Sequence, residues 1–171
     1  MPTHSLLTLP AGTEILIDAN VIVYAVNVLS AQCRDVLRRC GTGDVSGFTT
    51  VEILSEACHR LMLGEAAGRG MIVRPNASSL QGRPHVIRQL QDYWSRLQNV
   101  MNGAVAVLPL DEFRFRRSQV MRQQDGLMTN DSLVLAAADV FGIAALATND
   151  QDFDAVPWID IYKPTDLAPT P

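Results

Sequence analysis

The sequence predicts an α/β fold, a three-layer α/β/α sandwich around a mostly parallel central sheet. Short apolar runs rich in β-branched residues alternate with stretches of helical periodicity along the chain. Several of these runs are continuously apolar, as expected for strands that are buried on both faces. The length of 171 residues with 47% hydrophobic residues suits one hydrophobic core. We therefore expect a single domain over residues 1–171.

The first half of the chain predicts two strands and three helices. Residues 14–17 form an apolar run that ends at Asp18. Helical spacing follows over residues 21–28 and 32–40, and it stops at the Gly-Thr-Gly of residues 41–43. Residues 45–48 predict a second strand. Residues 51–62 then predict an amphipathic helix whose polar stripe contains Glu52 and Glu56.

The second half begins with an interruption and then returns to alternating elements. Glycines and prolines break the pattern around residues 64–84, which predicts an inserted loop or lid. A helix is predicted over residues 85–101, a strand over 104–108, and further helices over 111–122 and 130–141, with Gly142 as a C-terminal cap. Strands over residues 143–147 and 159–162 precede a proline-rich tail.

Composition excludes several classes of protein. The longest apolar stretch, residues 133–141, is too short to cross a bilayer, so no membrane association is expected. Three cysteines without CxxC spacing argue against a disulfide framework and a structural zinc site, and they suit the cytoplasm. The net charge is -4, and nearly all of the positive charge comes from clustered arginines. Such clusters are usually solvated helix faces, although the planar guanidinium group also suits phosphate oxygens.

Four acids stand where a parallel sheet would bring them together. Asp18 and Asp150 follow predicted strands, and ligands of such sheets bind beyond the carboxyl ends of the strands. Glu56 and Asp131 would enter from neighbouring helices. Two carboxylates about 4 Å apart repel by roughly 4 kcal/mol at an effective dielectric near 20, so a cluster needs protons or a cation. Oxygen ligands select Mg²⁺ or Mn²⁺, which points to phosphate chemistry.

Each acid taken alone also has an ordinary structural explanation. Asp18 would serve as a helix N-cap, and Asp131 would favour the dipole of its own helix. Asp150 and Asp152 would organise a turn. Glu52 and Glu56 would lie on a solvated helix face. The case for a site therefore depends on the combination of acids and on their order.

Three segments, taken in order, resemble the PIN-domain family. Residues 15–21, ILIDANV, look like its opening motif, an apolar strand that ends in Asp-x-Asn. TVEILSEACHRL, with Thr50 and Glu56, resembles the helix that bears the second acid. GLMTNDSLVLAAADVFGIAALATNDQDF is similar to the C-terminal signature, in which Asp131 and Asp150 match the third and fourth acids. Residues 61–122 match weakly.

The resemblance implies a site, a cofactor and partners. Asp18, Glu56, Asp131 and Asp150 would be the catalytic and metal-binding residues of an endoribonuclease dependent on Mg²⁺ or Mn²⁺. Asn20 would orient Asp18 or a water at the metal, Thr148 would support the pocket, and Asp152 would be an auxiliary acid. Many relatives are VapC-type toxins, which are homodimers inhibited by a small antitoxin. Glu52 remains an alternative second acid, although the spacing from Thr50 favours Glu56.

Other functions remain open at the level of sequence. A PIN-like scaffold that binds RNA or protein without cutting it would not need four mutually repelling acids. A haloacid-dehalogenase-type phosphatase would have a second aspartate where this chain has Asn20. A nuclease that acts on branched DNA is compatible with the same acids. An inserted segment between residues 63 and 104 also distinguishes this chain from compact toxins.

Overall fold

The computed structural model describes residues 3–168, which form one six-stranded parallel sheet flanked by seven α-helices. The outermost residues of the predicted 1–171 domain, including the end of the proline-rich tail, lie outside the described residues. The strands are β1 (Thr3–Ser5), β2 (Glu14–Ile17), β3 (Ser46–Thr50), β4 (Ala106–Leu108), β5 (Ala145–Ala147) and β6 (Asp160–Lys163). The helices are α1 (Ala19–Val26), α2 (Ala31–Gly41), α3 (Val51–Gly68), α4 (Pro84–Ile87), α5 (Asp92–Gly103), α6 (Glu112–Asp125) and α7 (Thr129–Phe141).

The strand order β1-β6-β5-β2-β3-β4 places a change of direction at the centre of the sheet. The chain passes from β2 to β3 and β4 in one direction, whereas β5 and β6 lie on the other side of β2. Right-handed crossovers then put the connections on opposite faces, as in an α/β/α sandwich. The predicted fold class is confirmed, and the sheet is parallel at all five pairings. Beyond the carboxyl ends of β2 and β5 lies the switch point where such sheets bind ligands.

Local sequence explains the central elements. Ile15, Leu16 and Ile17 of β2 are fully buried, which accounts for their uninterrupted apolar run. The hydroxyl of Thr50 caps α3 by accepting the amide of Ile53 at 3.3 Å. Gly142 ends α7 with φ of 70°, the left-handed conformation predicted for its C-terminal cap.

Edge strand β1 was absent from the sequence prediction. It is only three residues long, has the polar sequence Thr-His-Ser and pairs with β6 in parallel register. Such a segment has no apolar periodicity, so its strand conformation depends on the partner strand. The ring of His4 stacks on Tyr162 of β6 with 5.1 Å between ring centroids, which adds to this pairing.

Two boundaries around the predicted insertion were wrong. Helix α3 continues to Gly68, although a loop was expected to begin at residue 64. The single helix predicted over residues 85–101 is two helices, α4 and α5, separated by a break at residues 88–91. Both differences reflect tertiary packing, because the end of α3 and the residues after it share a small apolar cluster that periodicity does not reveal.

The hydrophobic core has a main part and a satellite. The main cluster packs the helices onto the sheet. The satellite cluster joins the end of α3 to residues 72–90 through Leu63, Ala66, Ile72, Leu80, Val86 and Leu90. Residues 69–83 contain a single 3-10 turn, Ala77–Ser79, and they are packed onto α3 by this cluster. Across residues 3–168, none of the helices has the length and apolar character required to span a bilayer.

Candidate active site

Asp18 lies at the carboxyl end of β2 and is only 7% exposed. It is the N-cap residue of α1, where one carboxylate oxygen, Oδ1, accepts the amide of Ala19 at 2.7 Å. The amide of Asp18 donates to the carbonyl of Ala147 at 3.0 Å, which joins it to neighbouring strand β5. The capping role and a role in a site are therefore both compatible with the position of this carboxylate.

A buried hydrogen-bond network joins Asp18 to the loop after β5. Its second oxygen, Oδ2, accepts the Thr148 hydroxyl at 2.7 Å and the Asn20 side-chain amide at 2.5 Å. The Asn20 carbonyl oxygen accepts the backbone amide of Asn149 at 2.9 Å, and the Thr148 hydroxyl oxygen accepts that of Asp150 at 3.0 Å. Asn20 and Thr148 thus hold the two sequence motifs together across the switch point.

The electrostatic environment of Asp18 includes other acids. Burial raises the pKa of Asp18 from 3.8 to about 6. The hydrogen bonds from Thr148 and Ala19 act against this shift by stabilising the carboxylate. The negative charges of Glu56 and Asp150 contribute to the raised pKa, because they repel the Asp18 carboxylate.

The same acids help to raise the pKa of Asp131, which lies in the first turn of α7. Its pKa is also raised from 3.8 to about 6, first by burial and then by the charges of Asp150, Asp152, Asp18 and Glu56. Within residues 3–168 its carboxylate accepts no hydrogen bond, unlike that of Asp18. The charges of the other three predicted acids and of Asp152 therefore all act on Asp131.

The two candidates for the second acid have different surroundings. Glu52 forms an ion pair with the guanidinium of Arg114, whose side chain is 1% exposed. Glu56 is exposed, lies 3.5 Å from Arg60, and acts electrostatically on Asp18 and Asp131. The geometry thus engages Glu52 in a structural ion pair and favours Glu56 as the second acid.

Asp150 and Asp152 form a turn at the outer side of this neighbourhood. The carboxylate of Asp150 accepts the backbone amide of Asp152 at 3.0 Å, while Asp152 is exposed. The expected turn is present, and the charges of both acids also act on Asp131.

The donor atoms of these acids suit a hard divalent cation. The donors are all carboxylate oxygens, the ligands that Mg²⁺ and Mn²⁺ prefer, and burial together with their mutual repulsion raises the pKa of Asp18 and of Asp131. In the side-chain positions of residues 3–168, no three acids, histidines or cysteines converge on one point at metal-ligand spacing. Glu56 is exposed, and its carboxylate lies 3.5 Å from the guanidinium of Arg60.

Arg114, the partner of Glu52, is a buried residue that the sequence analysis did not single out. It stood in an arginine cluster whose usual interpretation is a solvated helix face, yet it is buried in α6 with Ser118 and Met121. Its guanidinium donates to Glu52 and to the carbonyl oxygen of Pro109, the latter at 2.6 Å. The spacing of these buried residues, i, i+4 and i+7, is the signal that could have identified it.

Solved structures of other proteins share this fold. VapBC2 from Rickettsia felis, bound to a promoter DNA fragment, has 16% identity and a TM-score of 0.56, over 88% of this chain and 98% of that one. VapC20 of Mycobacterium tuberculosis, a Sarcin-Ricin loop cleaving toxin, has 14% identity and a TM-score of 0.52, covering 85% and 97%. A toxin-antitoxin complex from Klebsiella pneumoniae has 16% identity and a TM-score of 0.51, covering 85% and 94%.

The sequence was also compared with curated proteins and with family models. None of the curated proteins matches this chain. The PIN domain model matches residues 15–159, which include both motifs joined at the switch point and all four predicted acids. Since the match extends over most of the chain, the protein belongs to the PIN domain family.

Proposed function

We propose that this protein is an endoribonuclease dependent on Mg²⁺ or Mn²⁺, in which Asp18, Glu56, Asp131 and Asp150 are the catalytic and metal-binding residues. The observation that carries the proposal is the electrostatic coupling of these acids, which come from four separate elements. An isolated helix cap or surface acid would not show such coupling, and stable proteins rarely keep repelling carboxylates together without a function.

The residues of the chain have distinct tasks in this proposal. A bound divalent ion would polarise the phosphodiester and lower the pKa of an attacking water. Asn20 and Thr148 fix the Asp18 carboxylate by donating to Oδ2, which leaves Oδ1 with one acceptor position beyond its bond to Ala19. Asp131, whose carboxylate accepts no hydrogen bond within residues 3–168, is the acid most available to bind a ligand or to accept a proton.

We further propose that the protein is the toxin of a toxin-antitoxin pair, acts on RNA as a homodimer in the cytoplasm, and binds a small antitoxin. Support for the partner comes from the VapBC2 and Klebsiella pneumoniae complexes, which share the fold. Support for RNA comes from VapC20, which cleaves the Sarcin-Ricin loop. The three cysteines are free, as suits a reducing compartment. We regard residues 1–171 as one domain whose inserted segment follows α3.

Cleavage of labelled RNA tests the proposal. We expect the wild-type protein to cut RNA with Mg²⁺ or Mn²⁺ and to stop when a chelator is added. Asp18→Asn should reduce the rate by two or more orders of magnitude, because it removes a carboxylate at the reacting centre. Asp35→Asn, at an acid on α2 with a half-exposed side chain, is the matched control and should cut normally.

Different measurements test the proposed mechanism and the proposed substrate. Full activity of Asp18→Asn, or of the wild-type protein in chelator, would refute the mechanism. Cleavage of branched DNA in preference to RNA would retain the site but overturn the proposed substrate. Co-expression with the product of an adjacent short reading frame tests the antitoxin, which should co-purify and suppress cleavage.

A further inference from the structure

The segment after α3 differs in charge from the rest of the molecule. Residues 66–91 contain no aspartate or glutamate and include four arginines, Arg69, Arg74, Arg83 and Arg88. The remainder of the chain has 18 acidic residues against 10 lysines and arginines. We call residues 69–91 the basic segment. A polyanion approaching this protein would therefore be attracted to this segment and repelled by the acidic site.

Two arginines of the basic segment are available to a partner. Arg74 and Arg88 are exposed, and neither side chain has a hydrogen bond or an ion pair within residues 3–168. Around them lie exposed polar residues that can also donate hydrogen bonds to phosphate oxygens, namely Asn76, Ser78, Gln81, His85 and Gln89.

The basic segment is held in place by the protein. The carboxylate of Glu65, near the end of α3, accepts the backbone amides of Gln91 at 3.1 Å and Tyr93 at 2.9 Å. Arg69 donates to Glu65 and to the carbonyl of Gln89 at 2.6 Å. The satellite cluster packs the underside of the segment onto α3. A surface already folded in this way loses little conformational entropy when it binds.

Helix α3 links this surface to the acids. Glu56 and Gly68 are twelve residues apart in α3, about 18 Å along the axis at 1.5 Å per residue. Exposed His59 and the partly exposed Arg60 lie between them. An extended polynucleotide following α3 would therefore pass from Glu56 to the end of the helix, where the basic segment begins, over about 18 Å.

We propose that the basic segment is a second binding surface for the phosphate backbone of the RNA substrate, with Arg74 and Arg88 as its principal contacts. This inference rests on the proposed ribonuclease function. The acid pocket repels a polyanion, so affinity for a long substrate must come from positive charge elsewhere. The basic segment supplies that charge through Arg74 and Arg88, which pair with no carboxylate within residues 3–168.

Binding can be measured independently of cleavage. The probe is a fluorescent single-stranded oligouridine long enough to extend from the acids to the segment, titrated in chelator at several salt concentrations. Each phosphate contact on a single strand contributes about 0.7 to the slope of log affinity against log salt. Arg74→Gln/Arg88→Gln should therefore lower the magnitude of that slope by about 1.4 and weaken binding at low salt.

Matched variants control for net charge and folding. Arg34→Gln/Arg38→Gln removes the same charge from α2 and should leave the salt slope unchanged. Circular dichroism should show all variants folded, because the substituted side chains are exposed. Under Mn²⁺, the segment variant should raise KM for long RNA and leave cleavage of a trinucleotide unaltered, since a trinucleotide is too short to reach the segment.

The outcomes distinguish this inference from the proposed function. If the wild-type protein cuts RNA but the segment variant keeps the wild-type affinity and salt slope, the basic segment is not a substrate surface. An equal loss in the α2 control would also overturn the inference, because it would indicate attraction by overall charge. If the protein binds oligouridine through the segment but no condition gives cleavage, the proposed catalysis fails and the binding surface remains.

Discussion

Asp18 shows how one residue serves both the fold and the site. Its carboxylate caps α1, which stabilises the first turn, and it is also the acid that joins the two motifs. Burial and neighbouring charges raise its pKa to about 6, so the fold bears an electrostatic cost at neutral pH. The hydrogen bonds from Asn20 and Thr148 partly offset that cost.

At the residue scale, we predict that Asp131→Asn stabilises the metal-free protein at pH 8. The pKa of Asp131 is about 6 when folded and 3.8 ordinarily, so the folded state binds more protons between these values. The free energy of unfolding therefore falls as pH rises through this window. Removing the charge should add on the order of 1 kcal/mol at pH 8, allowing for solvent screening.

Urea denaturation of both proteins at a series of pH values checks this prediction. The advantage of Asp131→Asn should disappear near pH 4, where Asp131 is largely protonated in the folded wild-type protein. Asp35→Asn is again a suitable control, since its side chain is half-exposed and pairs with Arg38 on the same helix. A constant difference between Asp131→Asn and wild type from pH 4 to 8 would show that Asp131 is not coupled to the other acids.

At the element scale, α3 is anchored at its first turn and carries Glu56, a proposed site residue, one turn later. Glu52 pairs with buried Arg114, which is in turn bound to the carbonyl of Pro109 after β4. This contact ties α3 to the loop between β4 and α6. Glu56 follows on the same helix, so the position of the second acid depends on the anchor.

We predict that Arg114→Met lowers the free energy of unfolding by about 3 kcal/mol. Removal of one partner leaves the poorly exposed carboxylate of Glu52 without its counter-charge. Arg116→Met is the matched control on α6, because that side chain is 76% exposed and its pair with Glu112 contributes at most about 0.5 kcal/mol. Equal losses in the two variants, measured in urea, would argue against a structural role for the buried pair.

At the scale of the whole molecule, the strand order determines where Asp18 and Asp150 lie. β2 and β5 are neighbours in the sheet, although their sequences are separated by more than a hundred residues. The chain leaves them in opposite directions, which opens a crevice at their carboxyl ends. Asp18 and Asp150 are placed there by topology, and Glu56 and Asp131 by the helices that flank it.

We predict that Mn²⁺ stabilises the folded protein as a whole. A ligand that binds the folded state alone adds about 2.7 kcal/mol when its concentration is a hundred times the Kd. The increase in Tm with Mn²⁺ should be smaller in Asp18→Asn and unchanged in Glu112→Gln, an exposed acid on α6. Identical melting of the wild-type protein with and without Mn²⁺ would mean that the acids do not form a cation site.

The sequence by itself determined the fold class and most of the elements, and it singled out the acids on which the proposed site rests. Continuous apolar runs identify buried strands, and an acid directly after such a run is placed at the carboxyl edge of the sheet. Helical periodicity located α2, α6 and α7 to within a few residues. These features are encoded locally, so they can be recognised without knowledge of distant contacts.

Only the tertiary structure decided which side chains interact across the fold. The ion pair between Glu52 and Arg114 connects residues 62 positions apart, so no local pattern predicts that Glu52 has a buried partner. The extension of α3 to Gly68 and the strand conformation of β1 likewise depend on partners distant in sequence. The physical reason is that burial and pairing energies arise between elements, whereas periodicity describes only a single element.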